Sequence, residues 1–235
     1  MTTETPRPRF PFGLTIVAVL AFVLLCGLGV WQVQRLQWKA GLIRQSEAAA
    51  ALGPAPLAAV LAAPDPAFRK AEIDCPGLST APYVELQTIH DGVPGVRLLS
   101  VCRPSGSSEV FLIDRGFVAE GISARPPVSD TAAPVRVTAE LRQTPPPGPM
   151  ALPVDKGRFY ARDNAAIARA LGAEKVNPST LFAVTSSNPE WLALQPSAPP
   201  AAFSSNHLGY ALTWFGLALA LVAFYVVLLR RKLTS

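Results

Sequence analysis

The sequence predicts a membrane protein in which two antiparallel transmembrane helices flank a mainly β (α+β) domain. Three observations carry that class. Phe12 to Val33 and Leu208 to Leu229 each run without a charged residue. Each covers roughly 33 Å as a helix, against a bilayer core of about 30 Å. Between them lie short segments rich in β-branched and apolar residues, separated by Pro and Gly. Half of the 235 residues are hydrophobic and the mean hydropathy is +0.30, which suits two spans and a modest soluble part better than a globular enzyme.

Charge placement sets the expected topology. Arg7 and Arg9 stand against Glu4 in residues 1–11, and Arg230, Arg231 and Lys232 fill residues 230–235, so the two tails hold +4 of the formal +5. That is a topology signal, and a nucleic-acid-binding patch is not expected. The expected division is a cytoplasmic tail 1–11, a transmembrane helix 12–33, a domain 34–206 across the membrane, a second transmembrane helix 207–229 and a cytoplasmic tail 230–235. Arg35, Lys39 and Arg44 follow the first span on the outer side, but loops longer than about 60 residues largely escape the positive-inside rule. The first span is too long for a cleaved signal peptide and lacks a small-x-small site. Leu25 before Cys26 does not fit lipoprotein processing.

The first helix leaves the membrane at Trp31-Gln32-Val33-Gln34-Arg35-Leu36-Gln37-Trp38-Lys39. At 100° per residue Trp31, Arg35, Trp38 and Lys39 share one side within about 100°. Such a side serves either as interfacial anchoring or as a cationic-aromatic face for an anionic ligand or a partner. The helix is expected to reach Ala51, ahead of Gly53-Pro54.

Strands are expected over Arg69–Cys75, Tyr83–His90, Val96–Arg103, Val110–Val118 and Val135–Arg142. Turn material separates them at Cys75-Pro76-Gly77, at Asp91-Gly92-Val93-Pro94-Gly95 and at Pro104-Ser105-Gly106. Val110-Phe111-Leu112-Ile113 is apolar on both faces, as a central strand requires, and Gly116 suggests a bulge or a positive φ. Asp114-Arg115 suggests a structural ion pair. After the proline-rich Thr144–Pro153, Asp163 is the expected N-cap of a helix over Ala165–Leu171 that stops at Gly172. A last strand is expected over Thr180–Thr185. Cys75 and Cys102 either pair as a disulfide or stay separate buried thiols.

No Cys-x-x-Cys, zinc-protease, phosphate-loop or nucleophile-elbow motif occurs, so enzyme chemistry has no visible home. His90 precedes Asp91-Gly92 and suits a solvated loop. Gly27 and Gly29, with Gly209, Ala211 and Gly216, suit close approach of the two spans. His207 differs, because it stands at the lip of the second span on one face with Ala211, Trp214 and Ala218, with Tyr210 to the side. A neutral imidazole there is able to ligate haem iron, with aromatic neighbours suited to a flat macrocycle. It also suits a hydrogen bond to the first helix. The residues leave both readings open.

Trp31-Gln32-x-x-Arg35-x-x-Trp38-Lys39 and Asn206-His207-Leu208-x-Tyr210-Ala211-x-Thr213-Trp214-Phe215 resemble the terminal motifs of the surfeit locus protein 1 family. Phe111-Leu112-Ile113-Asp114-Arg115-Gly116-Phe117-Val118, Val137–Arg142 and Tyr160-x-Arg162-Asp163 resemble its intervening segments. Departures are Phe117 and Phe159 for Trp, Ser204-Ser205 before Asn206, and the segment Ile73–Val84.

The resemblance implies a multi-pass protein of the bacterial inner membrane, with both termini cytoplasmic and a periplasmic central domain. It implies a non-enzymatic assembly factor for aa3-type cytochrome c oxidase that binds haem a transiently and aids its insertion into subunit I, alongside haem a synthase. His207 takes the role of iron ligand by that resemblance. Arg35, and less directly Lys39, are assigned to the haem propionates from charge and geometry. Trp31, Trp38, Tyr210 and Trp214 are assigned to the macrocycle faces. Alternatives are a haem-free interaction protein and a permanent accessory subunit of the oxidase.

Overall fold

The computed structural model describes residues 10–201 and 206–234; Arg7, Arg9 and Ser204-Ser205 lie outside the described residues. The chain divides into two units, Met1–Ile43 with Ala201–Ser235, and Arg44–Pro200.

Helix α1, Phe12–Ala51, runs unbroken past the first apolar stretch and ends ahead of Gly53-Pro54, as expected. The chain continues through β1 (Ala55–Pro56), α2 (Leu57–Leu61), β2 (Lys70–Asp74), a 3-10 turn (Leu78–Thr80), β3 (Tyr83–His90), β4 (Val93–Cys102) and β5 (Phe111–Ala119). It goes on through β6 (Arg136–Gln143), β7 (Arg158–Phe159), α3 (Asn164–Ala170) and β8 (Ser179–Ala183) to helix α4, His207–Thr234. Both α1 and α4 are long and apolar enough to cross a bilayer, and only 6% of the apolar stretch of each is buried against protein. A core helix of a soluble domain would be largely covered.

The eight strands form one mixed sheet in the order β1-β2-β6-β8-β5-β4-β3-β7. β5 is central and buried along nearly its whole length, as its two-faced apolar run requires. The β3–β4 hairpin closes on Asp91-Gly92 alone, both at positive φ, a type I′ geometry that suits Asp-Gly. Val93-Pro94-Gly95, expected as turn, is instead the start of β4. Val93, Pro94 and Gly95 pair with His90, Ile89 and Thr88 of β3, and position 95 needs glycine because a side chain there would strike the Phe117 ring, which lies against His90 at 5.1 Å between centroids. His90 is the last residue of β3 with its side chain largely covered, in place of a solvated loop histidine.

Gly116 meets the expectation of a bulge and a positive φ. Leu98 pairs with Gly116 and Leu99 with Asp114, which leaves Arg115 as the extra residue, and Gly116 has φ 136°. Any side chain at Gly116 would collide with the backbone of Gln195-Pro196, where Phe117 and Gln195 exchange two backbone hydrogen bonds of 2.8 Å.

Three strands separate β2 from β4, so in a flat sheet they would lie about 19 Å apart. Cys75 and Cys102 nevertheless form a disulfide with Cα atoms 5.7 Å apart, and Ser105 N donates to Asp74 O at 2.9 Å. The sheet therefore coils until the ends of β2 and β4 meet. Its concave side holds Ile73, Val137, Leu141, Leu181, Phe111 and Ile113, capped by Leu57 and Val60 of α2. The other face buries Leu86, Leu99 and Leu112 under Ile167 and Ala168 of α3. Asp163 caps α3 by accepting from Ala166 N at 3.0 Å, and Gly172 beyond it has φ 71°. The disulfide closes a loop of sequence separation 27, for which chain entropy gives about 3–4 kcal/mol of stability. Replacing both cysteines by alanine is expected to raise hydrogen-exchange rates of β2 and β4 amides by a factor of at least about 100 in the full-length chain.

Two adjacent charges on β5 follow separate paths. Asp114 does not pair with Arg115, contrary to the expected ion pair. Its Oδ2 accepts from Arg97 Nε and Arg162 Nη2, each at 2.7 Å, and its Oδ1 accepts from Gly116 N at 3.2 Å. Arg115 is completely buried and donates to Ser187 Oγ at 3.1 Å, to Asn188 Oδ1 at 2.5 Å, and to the carbonyls of Ser79 and Ala81. Strand alternation and the bulge send neighbouring side chains to opposite faces. Burial pushes the Arg115 guanidinium down to about 10, so it still carries its charge at neutral pH.

Candidate functional site

Within the helical unit, α1 and α4 meet in antiparallel order. Thr15 Oγ1 and Tyr225 Oη share a hydrogen bond of 2.6 Å, Gly29 lies beneath the Phe215 ring, and Gln32 meets His207. Of the small residues expected to allow close approach, Gly29 and Ala211 are buried, with Ala218 one heptad beyond Ala211. Gly27 and Gly216 have open space where a side chain would stand, so they play no such part. A Cβ on Gly29 would come within 2.7 Å of the Phe215 ring edge. With cysteines at Thr15 and Tyr225, a short bifunctional thiol reagent is expected to link the two helices. Adding Gly29→Leu should lower that yield by about threefold or more, as overpacking of 1–3 kcal/mol implies.

His207 opens α4. Its Nδ1 lies 2.7 Å from Gln32 Oε1, within hydrogen-bond distance, and Gln32 is only 9% exposed. The other ring nitrogen, Nε2, is buried and has no hydrogen-bond partner among the described residues. A polar side chain in the last turn of an apolar span needs a partner, and here each residue supplies it for the other. Asn206 precedes the helix, and its Oδ1 accepts from Gly209 N at 2.9 Å, which caps the first turn and fixes where His207 starts.

The cationic residues lie near this pair. Lys39 follows Gln32 by seven residues, about 20° away around α1, and Arg35 is about 60° away. The charges of both act on the His207 ring. The Arg35 guanidinium stacks over Trp38 with Cζ 4.0 Å from the ring centroid, which holds it in place. Trp31 and Trp38 stand roughly 100° and 120° round the helix from Gln32 and are about half exposed. On α4, Trp214 lies on the His207 face and is half-buried, whereas Tyr210 projects to the side and is exposed. The structure thus brings His207, Lys39 and Arg35 together, with Trp214 two turns below, and sets Trp31, Trp38 and Tyr210 as an exposed aromatic margin.

The residue that sequence reasoning passed over is Gln32. The signal was present: it is a polar side chain inside the first uncharged run, where an amide is expensive unless it is paired. Among the described residues no three His, Cys, Asp or Glu side chains gather to hold a metal ion. A single imidazole nitrogen with a free lone pair fits the axial position of an iron already held in a macrocycle, and it does not fit a bare ion.

Comparison with known proteins agrees with the motifs. The model of the SURF1 family matches residues 19–219, which takes in Trp31–Lys39, the whole sheet and His207. The human protein named Surfeit locus protein 1 is 30% identical over 244 residues, an alignment spanning 88% of this chain and 73% of the human one. With a family match over most of its length and both terminal motifs inside it, the chain belongs to the SURF1 family.

Proposed function

We propose that this chain is an assembly factor for aa3-type cytochrome c oxidase that holds haem a and aids its insertion into subunit I. In this reading α1 and α4 span the bacterial inner membrane, both termini are cytoplasmic and the sheet domain is periplasmic. The SURF1 family is known in general for cytochrome c oxidase assembly, and its members act as assembly factors rather than enzymes. One observation carries the haem assignment: Nε2 of His207 is buried on the helix pair with no hydrogen-bond partner among the described residues.

Haem a, as cargo, brings an iron that takes an axial imidazole and two propionates that take cations. His207 supplies the imidazole through Nε2. Arg35 and Lys39 supply positive charge around the same ring. Trp214 offers an apolar surface below, and Trp31, Trp38 and Tyr210 shield the margin from water and headgroups. A single axial imidazole from the chain would suit a carrier that must release what it holds. Haem a synthase as donor and subunit I as acceptor complete the proposed route.

A strain lacking the chain and complemented with His207→Ala is expected to contain oxidase polypeptides with haem a reduced by about tenfold or more, the scale set by loss of a metal-site group. Full haem a content in that strain would refute the reading. A haem-free scaffold is the second reading, and the Gln32–His207 bond favours it, because the same bond locks two helices together. His207→Gln separates the two, since it keeps a donor toward Gln32 and loses the imidazole. The scaffold reading expects it to support assembly, and the haem reading expects it to fail. Stoichiometric copurification with mature oxidase would mark a permanent accessory subunit.

A further inference from the structure

We infer that Gln32 is a positioning residue, whose side-chain oxygen holds His207 in the Nδ1–H tautomer and so presents the Nε2 lone pair. The purpose of that arrangement rests on the haem reading above; the arrangement itself does not. A neutral imidazole carries one proton on either nitrogen, and the partner of one nitrogen decides what the other can do. Free histidine favours the Nε2–H form, in which Nε2 is a donor and cannot bind a metal. At His207 the preference is reversed. Gln32 Oε1 lies 2.7 Å from Nδ1 and can only accept, so Nδ1 keeps the proton and Nε2 is left bare.

The rest of the helix pair serves that contact. Gln32 is buried, one turn after Gly29, and the missing side chain at Gly29 is what lets the Phe215 ring lie against α1. The Asn206 cap fixes the first turn of α4 and therefore the height of the imidazole. An amide oxygen also adds no charge. A carboxylate at the same position would raise the basicity of the ring, whereas a neutral acceptor orients it and leaves it a weaker donor to iron. Packing of the two helices is thereby coupled to the ligating ability of one nitrogen, and the two halves of that device lie 175 residues apart in the chain.

The test needs no haem. Full-length chain labelled with 15N-histidine is placed in lipid nanodiscs at a pH of about 8, where the ring is neutral. Since the chain has two histidines, His90→Gln leaves His207 as the sole source of signal. The expected spectrum has a pyrrole-type nitrogen at Nδ1 and a pyridine-type nitrogen at Nε2. Gln32→Leu should shift the population toward the Nε2–H form by about fivefold or more, and Gln32→Glu should keep the Nδ1–H form. A parent protein already in the Nε2–H form would overturn the inference, as would a Gln32→Leu spectrum that matches the parent. Should Gln32→Leu fail to fold, the parent and Gln32→Glu spectra decide alone, and an Nε2–H ring in either would overturn it. The outcome is independent of the haem reading: an Nδ1–H ring in a chain that never takes up haem a sinks that reading and leaves this one. In haem-loaded protein Gln32→Glu should lower the reduction potential, a change that a purely structural role for Gln32 would not produce.

Discussion

Replacing Asp114 by alanine is expected to lower the melting temperature of the sheet domain by about 10 °C, the consequence of roughly 3–5 kcal/mol. The carboxylate is completely buried and both of its arginine partners face it at 2.7 Å. Arg97 is only 5% exposed on its side chain, so without Asp114 a guanidinium would stay inside the protein with no counter-charge. Arg97 also donates to the carbonyl of Ser197 and to Ser197 Oγ, so its disorder would loosen the segment that leaves the sheet after Gln195. Asp114→Asn keeps an acceptor but not the charge and should fall between the two. Differential scanning calorimetry of the full-length chain, with hydrogen exchange at β4 and β5 amides, reads the order. A melting temperature unchanged in Asp114→Ala would mean that the three charges contribute nothing together.

The second large effect is expected at Arg115. Arg115→Ala removes the largest fully buried side chain among the described residues and empties its space beside the 3-10 turn and Ser187-Asn188. It also leaves Ala81 O and Ser187 Oγ without this donor. A loss of about 4 kcal/mol follows from the cavity and the unsatisfied acceptors together. Arg115→Met keeps most of the volume and discards the burial penalty that pushes the guanidinium down to about 10. It should therefore lose about half as much as the alanine variant. Equal losses in the two variants would show that the hydrogen bonds, rather than the filled space, dominate there.

These two neighbours also show where sequence reasoning stops. Asp114-Arg115 looks like an ion pair because opposite charges sit side by side, but on a strand successive side chains leave on opposite faces. The true partners of Asp114 lie 17 and 48 residues away. Features with local causes were legible: two uncharged runs gave α1 and α4, Asp91-Gly92 lay within the expected turn, Asp163 and Gly172 bracketed α3, and Gly116 gave the bulge. Strand positions came out within a few residues for the same reason. Strand order did not, because β8 reaches the centre of the sheet by parallel pairing with β5, with β6 on its other side. β1 and β7 are two residues each and carry no period to detect. Pro94-Gly95 misled because proline and glycine mark turns, while here the glycine makes room for a ring that arrives from β5. The pairing of Cys75 with Cys102 stayed open in the sequence because it depends on how far the sheet coils.

The site divides in the same way. His207, Arg35 and Lys39 stood out by their chemistry at the ends of apolar runs. Gln32 did not, since an amide has no charge and its value depends on a partner contributed by the far end of the chain.

In the proposed function Nε2 of His207 binds the iron of haem a. The most direct test of that claim is the absorption spectrum of the full-length chain purified after co-expression with haem a synthase, compared with His207→Ala prepared identically. The parent is expected to carry haem a with the spectrum of a histidine-ligated iron, and His207→Ala to lose most of the haem or to show an altered axial ligand. Equal haem content and identical spectra in the two proteins would contradict the claim.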